Sequence, residues 1–249
     1  LMTTNKVNDI IKKIVAVDYS VFYREGMQND PENGIEKEYI QEEIFPDIIL
    51  LPTYGSNGSM WQEIEGRKRA SHGRFIFPIF AENDMEDIFV RVCGRFRWEL
   101  CRTIQGTTWN DVKYKSLTSE YVDYIQFYKR NRALSEERKE KLKMQIQKGR
   151  GNTREVFVLD YVLWVKNECK GSMRLNKVAR EILASYCPFV KPIREKLQLQ
   201  PLYEEAMAKF NRERQKKLKD LDLRYRTLET KNIALTPEMK KTLEFYKDM

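Results

Sequence analysis

From residue 83 to residue 249 the apolar residues return with helical spacing almost without interruption, and that periodicity constrains the chain more than any other feature. Ile88, Val92, Phe96, Leu100 and Ile104 fall in an i, i+4 row, and Asn83 or Asp84 can cap the helix that carries them. A loop, GTTWNDVKYK, follows. Thr118 or Ser119 opens a helix to about residue 131, and Ser135 opens another that ends in KGRGN. Residues 153–168, TREVFVLDYVLWVKNE, are apolar on every side, the mark of a helix buried all round. A helix over 174–186 comes next, and then Pro188 and Pro192 frame a short connection. Residues 202–230 form the longest helix. Its stripe includes Leu218, Leu221, Tyr225 and Leu228, a short heptad seam. Thr236-Pro237-Glu238 is a helix start with a cap, a proline in the first turn and an acid near the positive end. Residues 202–248 therefore read as an αα-hairpin.

The first 82 residues are different. Residues 7–24 have a helix-like spacing that blurs into a strand, NDPENG is a turn, and 35–45 reads as an acidic helix ended by Pro46. Residues 47–51 read as a short buried strand closed by Pro52. Residues 75–80 read as a second strand that Pro78 makes an edge or breaks. The expected fold is α+β and predominantly α: a small N-terminal sheet region packed on helices (1–110), a helical bundle (111–200) and a C-terminal helical hairpin (201–249), either as separate parts or as one continuous domain.

Composition excludes several classes. No apolar run approaches the roughly 18–20 residues of a membrane span, and the start, LMTTN, has no secretory signal pattern. Cys93, Cys101, Cys169 and Cys187 contain no C-x-x-C pair. With a single histidine, His72, they make no usual zinc set. They read as reduced thiols of a cytoplasmic protein. No cofactor is expected, nor a membrane partner. Net charge is −3 through residue 140 and +11 beyond it, which permits acidic partners without choosing among them.

The candidate ligand-binding residues lie around the phrase LLPTYGSNGSMWQEIEGRKRASHGRF. Gly55, Ser56, Asn57, Gly58 and Ser59 can present backbone N–H groups to an anion, although they match neither the P-loop nor the dinucleotide fingerprint. The same residues also suit a plain strand-to-helix turn, with positive φ at a glycine and a serine cap. Beyond them, Glu63 and Glu65 stand beside Arg67, Lys68, Arg69 and His72. Arg91, Arg95, Trp98 and Arg102 share one helix face, where arginines with an interleaved aromatic can grip phosphates and stack on bases. That face can equally pair with internal acids such as Glu63 or Glu82. Asp160 sits inside an apolar helix, with an N–H donor or an arginine such as Arg154 or Arg174 as expected partner. Lys148, Arg150 and Arg154 form a basic turn, and RERQKKLKD is a basic helix face.

The phrases MWQEIEGRKR, FRWELCRTIQG, SLTSEYVDYIQFYKRNR and RLNKVAREIL resemble a family of uncharacterised proteins from anaerobic Gram-positive bacteria, some labelled as cyclic-nucleotide-binding. The label implies a phosphate cassette in which Gly58 matches the glycine and Arg69, followed by Ala70 and Ser71, the phosphate arginine. Ser59 stands where such a cassette has a ribose-binding glutamate, and the chain before residue 50 lacks its run of alternating strands. The family supplies no catalytic residues. Two functions follow as expectations. One is a non-catalytic interaction or regulatory module with a protein partner, or self-association through the C-terminal helices. The other is a phosphate-ligand protein for a nucleotide, cyclic nucleotide or nucleic acid, using Gly55–Ser59 with Arg67, Arg69, Arg91, Arg95 and Arg102.

Overall fold

The computed structural model describes residues 1–61, 72–82 and 84–249. In chain order its elements are α1 (Thr4–Val15), β1 (Tyr23–Asp30), β2 (Ile35–Glu43), β3 (Asp47–Gly55), β4 (Ser59–Trp61), β5 (Arg74–Ala81), α2 (Met85–Gln105), α3 (Leu117–Phe127), α4 (Glu136–Lys148), α5 (Thr153–Lys166), α6 (Lys177–Tyr186), α7 (Lys191–Gln198), α8 (Pro201–Thr230) and α9 (Pro237–Asp248). The fold is α+β and predominantly α. Its residues group into two compact units. One is Leu1–Val21 with Phe45–Phe189; the other is Phe22–Ile44 with Val190–Met249.

The first unit is built on α5. Val156, Phe157, Val158, Tyr161, Val162, Trp164 and Val165 are all buried, as an all-round apolar helix must be. Gly94 lets α2 come close, because a Cβ there would stand 3.1 Å from the Tyr161 ring. Trp98 and Tyr121 meet Phe157 at ring centroids of 5.5 and 5.2 Å, and Trp164 stacks on Phe189 at 3.9 Å. The helices begin where side chains satisfy their first N–H groups: Asp84 on α2, the Ser116/Ser119 capping box on α3, Ser135 on α4 and Asn152 on α5. Asp18 is buried beneath α5. It accepts from the Tyr161 hydroxyl at 2.6 Å and from Ser20, and burial raises its pKa against the pull of Arg97.

The unit's sheet has the order β3-β5-β4, with β3 parallel and β4 antiparallel to β5. Phe75 and Phe77 on β5 are buried against Phe89 and Phe96 of α2. Both strand prolines depart from the expectation. β3 runs on through Pro52 to Gly55, and the ladder shifts register between Leu51 and Tyr54, so the residue without an N–H is stepped over. β3 is also largely exposed rather than buried. Pro78 lies in the central strand, but β4 pairs only as far as Ile76, so one side of β5 is already open at the proline.

In the second unit, β1 and β2 form an antiparallel hairpin around a 3-10 turn at Pro31–Asn33, closed by Gly34 at φ 76°. The acidic helix expected over 35–45 is therefore a strand. The reason is tertiary. Ile35 and Ile40 enter a cluster with Tyr225 and Met239, flanked by Leu221, Leu228, Ile233, Leu235 and Leu243 of the α8–α9 hairpin. Thr242 of α9 accepts the Gln41 N–H at 2.8 Å. The hairpin of 202–248 is thus present, and the heptad seam is used within the unit. The connection expected after Pro188 contains α7, whose Pro192 sits in the first turn, where its missing N–H costs nothing. Arg194 of α7 is buried and donates to the Met249 carbonyl. Desolvation, with Arg214 nearby, brings its pKa down to about 10.

Candidate functional site

The 55–59 loop joins two strands, not a strand and a helix. Gly55 ends β3, Ser59 begins β4, and neither Gly55 nor Gly58 has a positive φ. Gly58 is required for space. A Cβ there would lie 2.7 Å from the Phe77 ring and 2.8 Å from Val92. Its carbonyl accepts from Arg95 Nη1 at 3.3 Å, and the Asn57 carboxamide donates to Ser56 at 3.3 Å. Glu63, Glu65, Arg67, Lys68 and Arg69 lie outside the described residues; His72 is exposed.

The arginine face of α2 is joined to α5 by a chain of ion pairs. Arg95 grips Glu155 with two bonds, Nε to Oε1 at 3.2 Å and Nη2 to Oε2 at 3.0 Å. Arg154 bridges Glu155 and Glu99, and Arg102 completes the chain on Glu99 at 2.6 Å. Trp98 is buried at 3% exposure among Trp109, Tyr121 and Phe157, so it offers no face to a base. Arg91, half-buried on the same helix, has no ion pair among the described residues. Among the described residues the acids that pair with this face are Glu99 and Glu155, while Glu82, just past β5, is exposed.

Asp160 takes an N–H donor, one of its two expected partners, and not an arginine. Its carboxylate accepts from the Tyr121 hydroxyl at 2.5 Å on Oδ2 and from the Gln145 carboxamide at 3.3 Å on Oδ1. Arg154 is committed to Glu99 and Glu155, and Arg174 makes no ion pair with Asp160. With no cation in contact among the described residues, desolvation dominates and pushes its pKa up to about 6 despite those two hydrogen bonds. Tyr124, nearby and hydrogen-bonded by Asn176 at 2.7 Å, is pushed above the ordinary phenol range by burial and by Asp160.

This carboxylate lies on the wall of a cavity of about 320 Å³ between α4, α5 and the segment before α6. Leu142, Met144 and Leu175 supply apolar wall; Gln145 and Asn176 supply carboxamides; Arg138, Lys141 and Arg174 supply positive charge. Lys141 pairs with Glu137 at 2.5 Å, whereas the guanidinium groups of Arg138 and Arg174 have no ion pair among the described residues. The wall that carries Arg174 is fixed from below by Glu168. This fully buried carboxylate accepts the N–H groups of Arg174 and Leu175 at 2.6 and 2.7 Å and pairs with Arg180 at 2.8 Å. Of the cavity residues, the sequence singled out only Asp160 and Arg174. Arg138 and Lys141 are hidden in a helix whose charges look like an ordinary solvated face, EERKEKLK. Lys148 and Arg150 of the basic turn are exposed and do not line the cavity.

Among the described residues, no helix is long and apolar enough to cross a membrane, and no cluster of His, Cys, Asp and Glu could hold a metal ion. The protein thus has a helical α+β fold with a charged cavity on its bundle. Residues 106–246 match the family described as a Domain of unknown function (DUF8509), and the chain belongs to that family. No curated protein and no solved structure matches it. The family region contains every residue of the cavity. It leaves out the 55–59 loop and Arg91, Arg95 and Arg102.

Proposed function

We propose that this protein is a non-catalytic, cytoplasmic regulatory module that binds a small phosphate-bearing ligand in the cavity between α4 and α5. The observation that carries the reading is a cavity of small-ligand size whose rim holds Arg138 and Arg174, neither engaged in an ion pair among the described residues. Guanidinium groups in this state keep their full capacity for bidentate contact with phosphate oxygens. The phosphate ligand foreseen from the sequence is retained; its place moves. Arg95 and Arg102 are already held by Glu155 and Glu99, and Gly58 has a packing role.

Calorimetric titration at low salt with pyrophosphate and nucleoside monophosphates tests the reading. Nucleoside monophosphates are expected to bind the wild type, pyrophosphate more weakly, and binding is expected to weaken by about tenfold or more in Arg138→Ala and in Arg174→Ala, since a charge-assisted hydrogen bond is worth roughly 1.5–3 kcal/mol. Binding that survives both substitutions but fails in Arg95→Ala would move the site to α2. No binding of any of these probes would refute the proposal.

A further inference from the structure

We infer that the ligand is a free guanine mononucleotide, its base edge against the Asp160 carboxylate and its phosphate out between Arg138, Lys141 and Arg174. This rests on the phosphate-ligand reading of the cavity and extends it to the other end of the ligand. The cavity is polarised. Its inner wall holds a carboxylate at 2% exposure with no cation beside it among the described residues, and its rim holds cations. A bare phosphate or a dicarboxylate would be drawn by the rim and repelled by the wall. The fitting ligand is therefore anionic at one end and a hydrogen-bond donor at the other.

The donor end must be more than an amine. A volume of about 320 Å³, bounded in part by Leu142, Met144 and Leu175, is matched by a flat heterocycle and a ribose rather than by a short aminoalkyl phosphate. Tyr121 is not part of the cavity lining and takes Oδ2 from the interior, while Gln145 meets Oδ1 from the cavity wall. Oδ1 accepts from this cavity-lining carboxamide, its one hydrogen bond among the described residues, and so keeps a lone pair for a ligand. Guanine answers this pair. Its N1–H and N2–H groups are adjacent donors, with O6 as an acceptor alongside. Adenine and cytosine each place a ring-nitrogen lone pair next to their amino group, facing the carboxylate. Uracil offers a single N–H between two carbonyls. Burial holds the Asp160 pKa near 6, so the carboxylate is ionised and accepting at pH 7.5.

The test is calorimetry on the full chain at pH 7.5 and low salt with GMP, IMP, AMP, CMP, pyrophosphate and the trinucleotide UGU. GMP is expected to bind about tenfold or more tightly than IMP, which lacks only the exocyclic amine, and more tightly than AMP or CMP. Asp160→Asn, verified as folded by its melting transition, is expected to erase that ranking. The wild-type ranking is informative without any variant. Equal affinity for all four mononucleotides would overturn the guanine assignment, while their dependence on Arg138 and Arg174 would leave the phosphate reading standing. Tighter binding of UGU than of GMP would overturn the free mononucleotide in favour of single-stranded nucleic acid. No binding of any probe would overturn both readings.

Discussion

Glu168→Ala should be among the most damaging substitutions in the chain, because one carboxylate holds together the wall of the cavity. Its side chain is 0% exposed and that of its partner Arg180 7%. It accepts from the Arg174 and Leu175 backbone, and from Arg180 through Nε at 2.8 Å and Nη2 at 3.3 Å. Truncation removes the carboxylate from a buried guanidinium, which also donates to the Leu175 carbonyl, and takes the acceptor from two backbone N–H groups. Breaking a buried pair from one side costs about 3–5 kcal/mol, most of it the penalty of the stranded charge. At roughly 2–4 °C per kcal/mol for a domain of this size, the melting transition of the unit containing α5 and α6 should fall by about 6–20 °C. Glu168→Gln keeps shape and an acceptor and should lose less. Glu168→Met with Arg180→Met removes both charges and should be more stable than Glu168→Ala, because no charge is left stranded. Urea unfolding followed by near-ultraviolet circular dichroism measures all three. A loss below about 1 kcal/mol for Glu168→Ala, or a double variant no better than the single, would refute the argument.

Three further outcomes follow from the same geometry. Asp160→Asn removes a group whose folded pKa of about 6 lies above the ordinary aspartate value of 3.8. Wild-type stability from this group is full below 3.8 and is lost as pH rises through 6, by up to about 1.4 kcal/mol per pH unit, so the variant should gain on the wild type between pH 4 and 6.5 in parallel denaturant titrations. The groups facing it are Tyr121, Tyr124 and Gln145, with Glu168, Arg138, Lys141 and Arg174 around them. A constant difference across that range would contradict a raised pKa. Gly58→Ala forces a methyl into Phe77 and Val92 and should cost about 1–3 kcal/mol in chemical denaturation; a neutral result would mean that the 55–59 loop shifts freely. Arg95→Ala breaks a pair whose side chains are 24% and 28% exposed, and Glu155 keeps Arg154, so about 1 kcal/mol is expected, with ligand affinity unchanged.

The helices were legible because what starts and fills them is local. Ser135, Asp84 and the Thr236-Pro237 start act within one turn of their own residues, and α5 announced its burial by lacking a polar face. The strand at 35–43 was not legible. Its residues take that form because Ile35 and Ile40 meet Tyr225 and Met239, nearly two hundred positions away, and no local pattern encodes such a pairing. For the same reason a linear reading divides the chain into consecutive stretches, while contacts group Phe22–Ile44 with Val190–Met249. The site divides in the same way. An acid amid VFVLDYVLWV was visible as an anomaly from the sequence alone. Its partners Tyr121 and Gln145 stand 39 and 15 residues away, and two of the cations around its cavity, Arg138 and Lys141, belong to a helix that looks merely solvated. Sequence by itself determined where helices begin and which of them must be buried, because caps and periodicity are short-range. Only the tertiary structure decided which carboxylate, among the described residues, is left without a cation and which arginines without an acid, because desolvation and ion pairing depend on what long-range packing brings within a few ångströms.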